Sequence, residues 1–289
     1  MSKDILSVIQ ASMSAFSKGQ KLIAKFILES YDKAAFMTAS KLGKTVNVSE
    51  STVVRFAAEL GYDGYPAMQK ALQEMIRNKL TSIQRIEVSN DRITDQDLLP
   101  MVMQSDIEKI RMTMEAVSRE DFYHTVDAIV SARRIYILGV RSASAIVSFL
   151  GFYFNLIFEN VVIVHTTSVS EMFEQILRVG EGDVVIGVSF PRYSSRTVKA
   201  MQFARDQGAV VVAITDSEAS PLAAIANHAL LAKSDMASFV DSLVAPLSMV
   251  NALIVAVGRR KNEDLSRTFE TLERIWDEYE VYEKVEEET

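Results

Sequence analysis

Two short stretches of this 289-residue chain bring hydroxyls, arginines and glycine together in an order suited to holding an anion. One is Gly139-Val140-Arg141-Ser142-Ala143-Ser144, directly after the apolar run 135–138. The other is Ser189-Phe190-Pro191-Arg192-Tyr193-Ser194-Ser195-Arg196-Thr197, directly after the run 184–188. An apolar β-type run, a turn and a hydroxyl-rich helix start together place unpaired backbone N–H groups at a helix N-terminus. A phosphate there gains hydrogen bonds and the favourable end of the helix dipole. Arg141, Arg192 and Arg196 supply the positive charge that an anion needs in acidic surroundings. The same residue types also serve as plain helix caps and surface cations, so the pattern alone leaves both uses open.

A different chemistry is written in residues 38–56. Thr38-Ala39-Ser40-Lys41-Leu42-Gly43, then Val46-Asn47-Val48-Ser49, then Ser51-Thr52-Val53-Val54-Arg55-Phe56 reads as helix, tight turn, helix. Ser49 offers a capping hydroxyl and Glu50 a favourable first-turn charge for the second helix, which Gly61 ends. Val53, Ala57 and Leu60 repeat at helical spacing and point inward, so Ser51, Thr52 and Arg55 project outward together. Short polar side chains let a helix enter the major groove, and an arginine there grips phosphate or a guanine edge. Lys41 and Lys44 flank this face, and with Ser49 they complete the expected DNA-contacting set.

The charge balance agrees. Residues 1–80 carry 11 Lys and Arg against 7 Asp and Glu, a net +4, whereas the whole chain is −7, leaving −11 for the remainder. A small basic module on an acidic protein implies a polyanionic partner at one end only.

Other chemistries find little support. There is no cysteine, which excludes disulfides, thiolate nucleophiles and Cys-ligated metal. The three histidines, His124, His165 and His228, have no metal-ligand spacing. His165, at the end of the second apolar run, has the position to meet a ligand, although a lone histidine is more often structural. Glu171 and Glu174 are the nearest candidates for a carboxylate base. No catalytic residue, cofactor or metal is expected.

The elements that must position these groups follow from periodicity. Residues 1–80 are helical throughout, with Leu22, Ile23, Phe26 and Ile27 forming one helix face and Ala39, Leu42 and Val46 turned inward. Residues 79–121 read as a helical linker broken at Pro100. Beyond them, the runs 135–138, 161–164, 184–188, 210–214 and 228–231 alternate with helices. Five Val- and Ile-rich strands of this kind predict a parallel sheet buried on both faces, in a three-layer doubly wound α/β domain over 122–262. Such a domain binds ligands beyond the carboxyl ends of its strands. The uncharged stretches 142–158 and 242–258 are expected to be buried helices, with no membrane span. The opening residues show no secretory signal, and a cytoplasmic location is expected. An acidic helix over 263–289, with Phe269, Leu272 and Trp276 as its apolar stripe, is expected to dock or dimerise.

Residue by residue, the stretch 16–72 resembles the N-terminal domain of RpiR-type bacterial transcription regulators. The resemblance rests on Val48-Ser49, on Thr52-Val53-Val54-Arg55-Phe56 and on Gly61-Tyr62-Asp63-Gly64-Tyr65. It places the DNA-binding domain at 1–78 and implies sequence-specific binding to double-stranded operator DNA, with the helix from Ser49 in the groove. Residues 126–257 resemble the SIS (sugar isomerase) domain, which in these regulators senses a phosphosugar. Gly139, Arg141, Ser142, Ser144, Ser189, Arg192, Ser194 and Ser195 are the ligand-binding positions this implies. Two departures stand out. In the glycine-x-glycine-x-serine turn, the second glycine is Arg141 and the serine is Ala143. In the serine-x-serine-glycine-x-threonine loop, one serine is Pro191 and the glycine is Arg192. The family further implies a homodimer or homotetramer. The expected function is transcriptional regulation by effector-dependent DNA binding. The rival is a phosphosugar isomerase with a helical extension, and that chemistry needs a base at the sugar carbon.

Overall fold

A computed structural model of the protein describes residues 5–76, 81, 83–86, 98–166, 168–234 and 240–283. Residues 79–80, 82 and 87–97 of the expected linker 79–121, and the end of the expected C-terminal helix, 284–289, lie outside the described residues. Packing divides the chain into two units. One runs to Met101 and takes in Asp241; the other comprises Val102–Asp235 and Ser242–Thr289.

The first unit is all helix: α1 (Ile5–Ala11), α2 (Lys18–Glu29), α3 (Tyr31–Ala34), α4 (Ala39–Thr45), α5 (Glu50–Glu59) and α6 (Gly64–Ile76). A capping box starts α2: Gln20 N–H donates to Ser17 Oγ at 3.4 Å and Ser17 N–H to Gln20 Oε1 at 2.9 Å. Helix α2 buries Ile23, Ala24 and Ile27 and half-buries Phe26, but Leu22 is 44% exposed, contrary to the expected face. One residue is roughly 100° of helix rotation, and the small Ala24 beside Ile23 takes the place assigned to Leu22. The Phe16 and Phe56 rings meet at 5.0 Å in this core.

Gly61 and Gly64, at φ +84° and +81°, take the left-handed turn that carries the chain from α5 into α6. That turn delivers Tyr65 into the core. Its hydroxyl donates to the Met37 carbonyl at 2.7 Å, and burial pushes its pKa up to about 12. Gln69 and Gln73, further along α6, donate to the carbonyls of Met37 at 2.7 Å and Ala35 at 2.8 Å. These bonds satisfy carbonyls that the short helix α3 leaves open at its end.

The second unit begins within α7 (Leu98–Ala116), at Val102, and goes on to α8 (Arg119–Val130). It continues as β1 (Arg134–Leu138), α9 (Ala143–Ile157), β2 (Val161–Val164), α10 (Val169–Gln175), β3 (Asp183–Val188), α11 (Ser195–Asp206), β4 (Val210–Thr215) and β5 (His228–Leu231). It closes with α12 (Val244–Arg260) and α13 (Asn262–Glu278). All five expected strands form, in one parallel sheet of order β2-β1-β3-β4-β5.

Alternate strand residues feed two separate cores. Ile135, Ile137, Ile186, Val212 and Ile214 pack with Val126 and Ile129 of α8, Val147 and Leu150 of α9 and Leu253 of α12. On the other face Tyr136, Leu138, Val185 and Val211 pack with Met172 of α10 and Met201 and Ala204 of α11. This is the three-layer arrangement that β-branched strands without polar alternation require. The uncharged stretches are α9 and α12, as expected, and no helix among the described residues is long and apolar enough to cross a membrane. Helix α13 has an apolar stripe but no fully buried residue.

The turn between α4 and α5 depends on Gly43. A Cβ there would lie 2.8 Å from the Val48 carbonyl oxygen, which accepts no such approach without a backbone shift. Gly43→Ala is therefore expected to destabilise the first unit by roughly 1–3 kcal/mol. Chemical denaturation followed by helical circular dichroism measures this, and an unchanged midpoint contradicts the close packing described.

Candidate DNA-binding face and anion cleft

The first candidate site is the α4–turn–α5 hairpin. Thr38 caps α4, accepting from the Lys41 N–H at 3.1 Å, and Asn47, at φ +58°, makes the sharp turn. Asn47 is among the residue types that tolerate this conformation. Ser49 caps α5, accepting from the Thr52 N–H at 3.3 Å. Its Oγ also lies 2.9 Å from Ser51 Oγ and 2.8 Å from Thr52 Oγ1, so three hydroxyls cluster at the start of the helix.

Val53, Phe56 and Ala57 are buried, while Lys41, Lys44, Ser49, Ser51 and Arg55 are exposed. Thr52 is the partial exception. It is half-buried, because its methyl group sits beside Gly19 of α2, where a Cβ would be 3.4 Å away. Arg55 Nε donates to the Ser51 carbonyl one turn back at 3.2 Å, which directs the guanidinium along the N-terminal half of α5.

Two further residues lie on this face or next in the chain to a residue that touches it. Val54 is 43% exposed between Ser51 and Arg55, and a methyl-bearing side chain there suits the thymine methyl group. Lys18 is exposed at the first turn of α2, next to the Gly19–Thr52 contact. The closeness of Gly19 to Thr52 is a tertiary fact with no local sequence signal.

The second candidate site lies at the carboxyl ends of β1 and β3. Strand order reverses between them, so the connections leaving the two strands diverge and leave a crevice. A cleft of 860 Å³ opens there, lined by Gly139, Arg141, Ser144, Arg192, Ser194 and Ser195 of the expected set. Arg196, His165 and Thr166 complete its polar wall. Ser142 and Ser189, also expected, do not line it. Ser142 is exposed at the start of α9 without making a cap bond. Ser189 is buried, and its Oγ accepts the Ser194 N–H at 3.1 Å while its carbonyl accepts the Thr215 hydroxyl at 2.8 Å. Its side chain braces the loop from behind. The sequence signal marks the loop but does not separate the residue facing the cleft from the one supporting it.

Ser194 both lines the cleft and caps α11, accepting from the Thr197 N–H at 3.3 Å. Ser144 Oγ donates to the Arg141 carbonyl at 2.6 Å. Both arginines stand on backbone of the kind glycine favours: Arg141 has φ +59° and Arg192 φ +68°. Holding an L-residue in this region costs roughly 1 kcal/mol or more and persists only where neighbours over-determine it. At Arg192 those neighbours are visible. Pro191 is buried on one side, and on the other the Tyr193 hydroxyl donates to Asp216 at 2.8 Å.

No acid–base pair faces this cleft among its described lining residues. Glu171 accepts the Thr166 hydroxyl, and Glu174 is exposed on α10 outside the lining. His165 is exposed on the wall. His124 and His228 meet each other, ring centroids 5.6 Å apart, but neither lines the cleft. No group of three or more potential metal-ligating side chains occurs among the described residues.

Comparison with known proteins places both sites in a family context. The rpiR-family helix-turn-helix domain matches residues 3–79, and the SIS domain matches residues 128–256. The HTH-type transcriptional regulator HexR of Escherichia coli K12 is 24% identical over 278 residues, covering 93% of this chain and 94% of HexR. An HTH-type transcriptional regulator of Caldanaerobacter subterraneus is 24% identical over 280 residues, covering 94% of this chain and 96% of that one. Among solved structures, the sugar isomerase domain of an RpiR transcription factor from Sphaerobacter thermophilus has 27% identity and a TM-score of 0.58, covering 62% of this chain and 99% of that one. The Vibrio vulnificus NanR protein, solved with ManNAc-6P, has 22% identity and a TM-score of 0.57, covering 94% of this chain and 98% of that one; this likeness concerns the fold. With two domain matches in this order, together spanning more than half of its length, the chain belongs to the RpiR-type helix-turn-helix regulators that carry a SIS domain.

Proposed function

We propose that the protein is a sequence-specific transcriptional regulator in which the α4–α5 face binds operator DNA and the β1–β3 cleft binds a phosphorylated sugar or sugar derivative. The observation that carries this reading is the pairing of a basic helix-turn-helix with a cleft whose described lining has three arginines, three serines and no carboxylate. On the DNA side, the assigned contacts are Lys41, Lys44, Ser49, Ser51, Thr52 and Arg55. On the effector side they are Gly139, Arg141, Ser144, Arg192, Ser194 and Ser195. The relative NanR was solved with a phosphosugar, which agrees with an effector of that class here. An isomerase reading has less support, since no described cleft residue offers a carboxylate base.

The reading includes a homodimer or homotetramer acting in the cytoplasm. Supporting it, α13 presents Leu265, Phe269, Leu272 and Trp276 only half-buried, and Phe152 of α9 and Val255 of α12 are exposed. A symmetric pair of helix-turn-helix units would match a two-fold operator.

Two outcomes test the assignment. Arg55→Ala is expected to weaken binding to a selected operator duplex by about 1–3 kcal/mol, read by fluorescence anisotropy near physiological salt, with the thermal midpoint unchanged. Equal affinity removes Arg55 from the contact set. Ser195→Asp is expected to act in opposite directions on stability and binding. A carboxylate in the first turn of α11 favours the helix, whereas in the cleft it repels a phosphate. The thermal midpoint should hold or rise while affinity for a sugar phosphate falls roughly tenfold or more; retained affinity places the phosphate elsewhere.

A further inference from the structure

Arg141 and Arg192, both at positive φ and both lining the cleft, are more than the phosphate of a simple sugar phosphate requires. A phosphomonoester carries about −1.5 to −2 charges near neutral pH. The N-termini of α9 and α11, the serine hydroxyls and Arg196 in the first turn of α11 already answer that charge. Arg141 and Arg192 come in addition, one from the loop after β1 and the other from the loop after β3, so they approach the cleft from both sides of the switch point.

Each stands at a position where the backbone is left-handed and glycine would be free of strain. The Arg192 loop is fixed in that shape by Pro191, by the Ser189 hydroxyl on the Ser194 N–H and by the Tyr193–Asp216 bond. A cationic side chain on a pre-set turn starts from a fixed backbone position, so the loop itself needs little ordering on binding. The cleft, at 860 Å³, is at the large end of ligand pockets and has room for more than one charged group. The described residues lining it include no Asp or Glu, although the whole chain has 38 acidic residues against 31 Lys and Arg.

We infer that the effector of this protein carries a second anionic group besides its phosphate, either a carboxylate or another phosphate, and that Arg141 and Arg192 select for it. The inference rests on the reading of this cleft as the phosphosugar site. It makes Arg141 and Arg192 specificity determinants. A phosphorylated sugar acid or a sugar bisphosphate is then the ligand class, and a sugar with one phosphate and an otherwise neutral ring is a weak ligand.

A matched set of probes separates the alternatives. Glucose 6-phosphate, 6-phosphogluconate and fructose 1,6-bisphosphate share a six-carbon frame with a phosphate at one end, and differ in a neutral, carboxylate or phosphate group at the other. Calorimetric titration of the full chain near 0.15 M salt, where exposed charges are screened, is expected to give roughly tenfold or tighter binding for at least one doubly anionic probe over glucose 6-phosphate. Which of the two gains identifies the second group. In R141G, R192G and the double variant, glycine restores a residue at home at positive φ, so folding is preserved and checked by thermal midpoint. The advantage over glucose 6-phosphate, measured on the same protein, should shrink to about twofold or less in the double variant. Equal or tighter binding of glucose 6-phosphate by the wild-type chain overturns the inference and leaves the phosphosugar reading standing. So does an advantage that persists in the double variant. Failure of all three probes to bind contradicts the phosphosugar reading itself.

Discussion

Everything in the second unit follows from one topological constraint. A parallel sheet ordered β2-β1-β3-β4-β5 must reverse its winding between β1 and β3, and the helices that leave those two strands must part to opposite faces. Helix α9 covers one face with the core of Val147 and Leu150, and α11 covers the other with Met201 and Ala204. Their N-termini nonetheless start from neighbouring strand ends. Two helix N-termini and their dipoles therefore meet at one opening. In the proposed reading, the residues of the two loops decide which anion binds. Here they are arginines, serines and a buried serine brace, on backbone that glycine would adopt more readily.

The first unit obeys a simpler rule. A helix can enter a groove only if its outer side chains are short and its inner ones are firmly held. Val53, Phe56 and Ala57 hold α5 down, and Gly43 lets α4 come close enough to the Val48 carbonyl to set the turn. The two glycines after α5 bring Tyr65 beneath α3, where its hydroxyl and the amides of Gln69 and Gln73 finish the exposed carbonyls. The groups that meet DNA in this account are thus held by contacts that never touch it.

Much of this was legible in the sequence. Strand positions were readable because residues buried on both faces leave an unbroken Val and Ile signal, and the start of α5 was readable because Ser49 has the chemistry of a cap. What the sequence hid was three-dimensional. Leu22 and Ile23 are adjacent in an apolar cluster, and only packing against the neighbouring helices decides that Ile23 goes inside and Leu22 stays out. Thr52 sits on the outward side by periodicity, yet Gly19 of another helix leaves space for its methyl group. Ser189 and Ser194 have the same chemistry five residues apart; one lines the cleft and the other supports it from within the protein.

The central claim is that one polypeptide links a duplex-binding helix to an anion-binding cleft, and linkage of that kind is reciprocal. If the effector changes operator affinity by some factor, the operator must change effector affinity by the same factor. The most direct test is to titrate the full chain with a sugar phosphate that it binds, once alone and once saturated with a selected genomic duplex. The account predicts affinities that differ between the two titrations, by a factor equal to the effector's own effect on duplex binding. A chain that binds both partners with no change in either affinity, or that shows no salt-sensitive preference for any duplex, contradicts it.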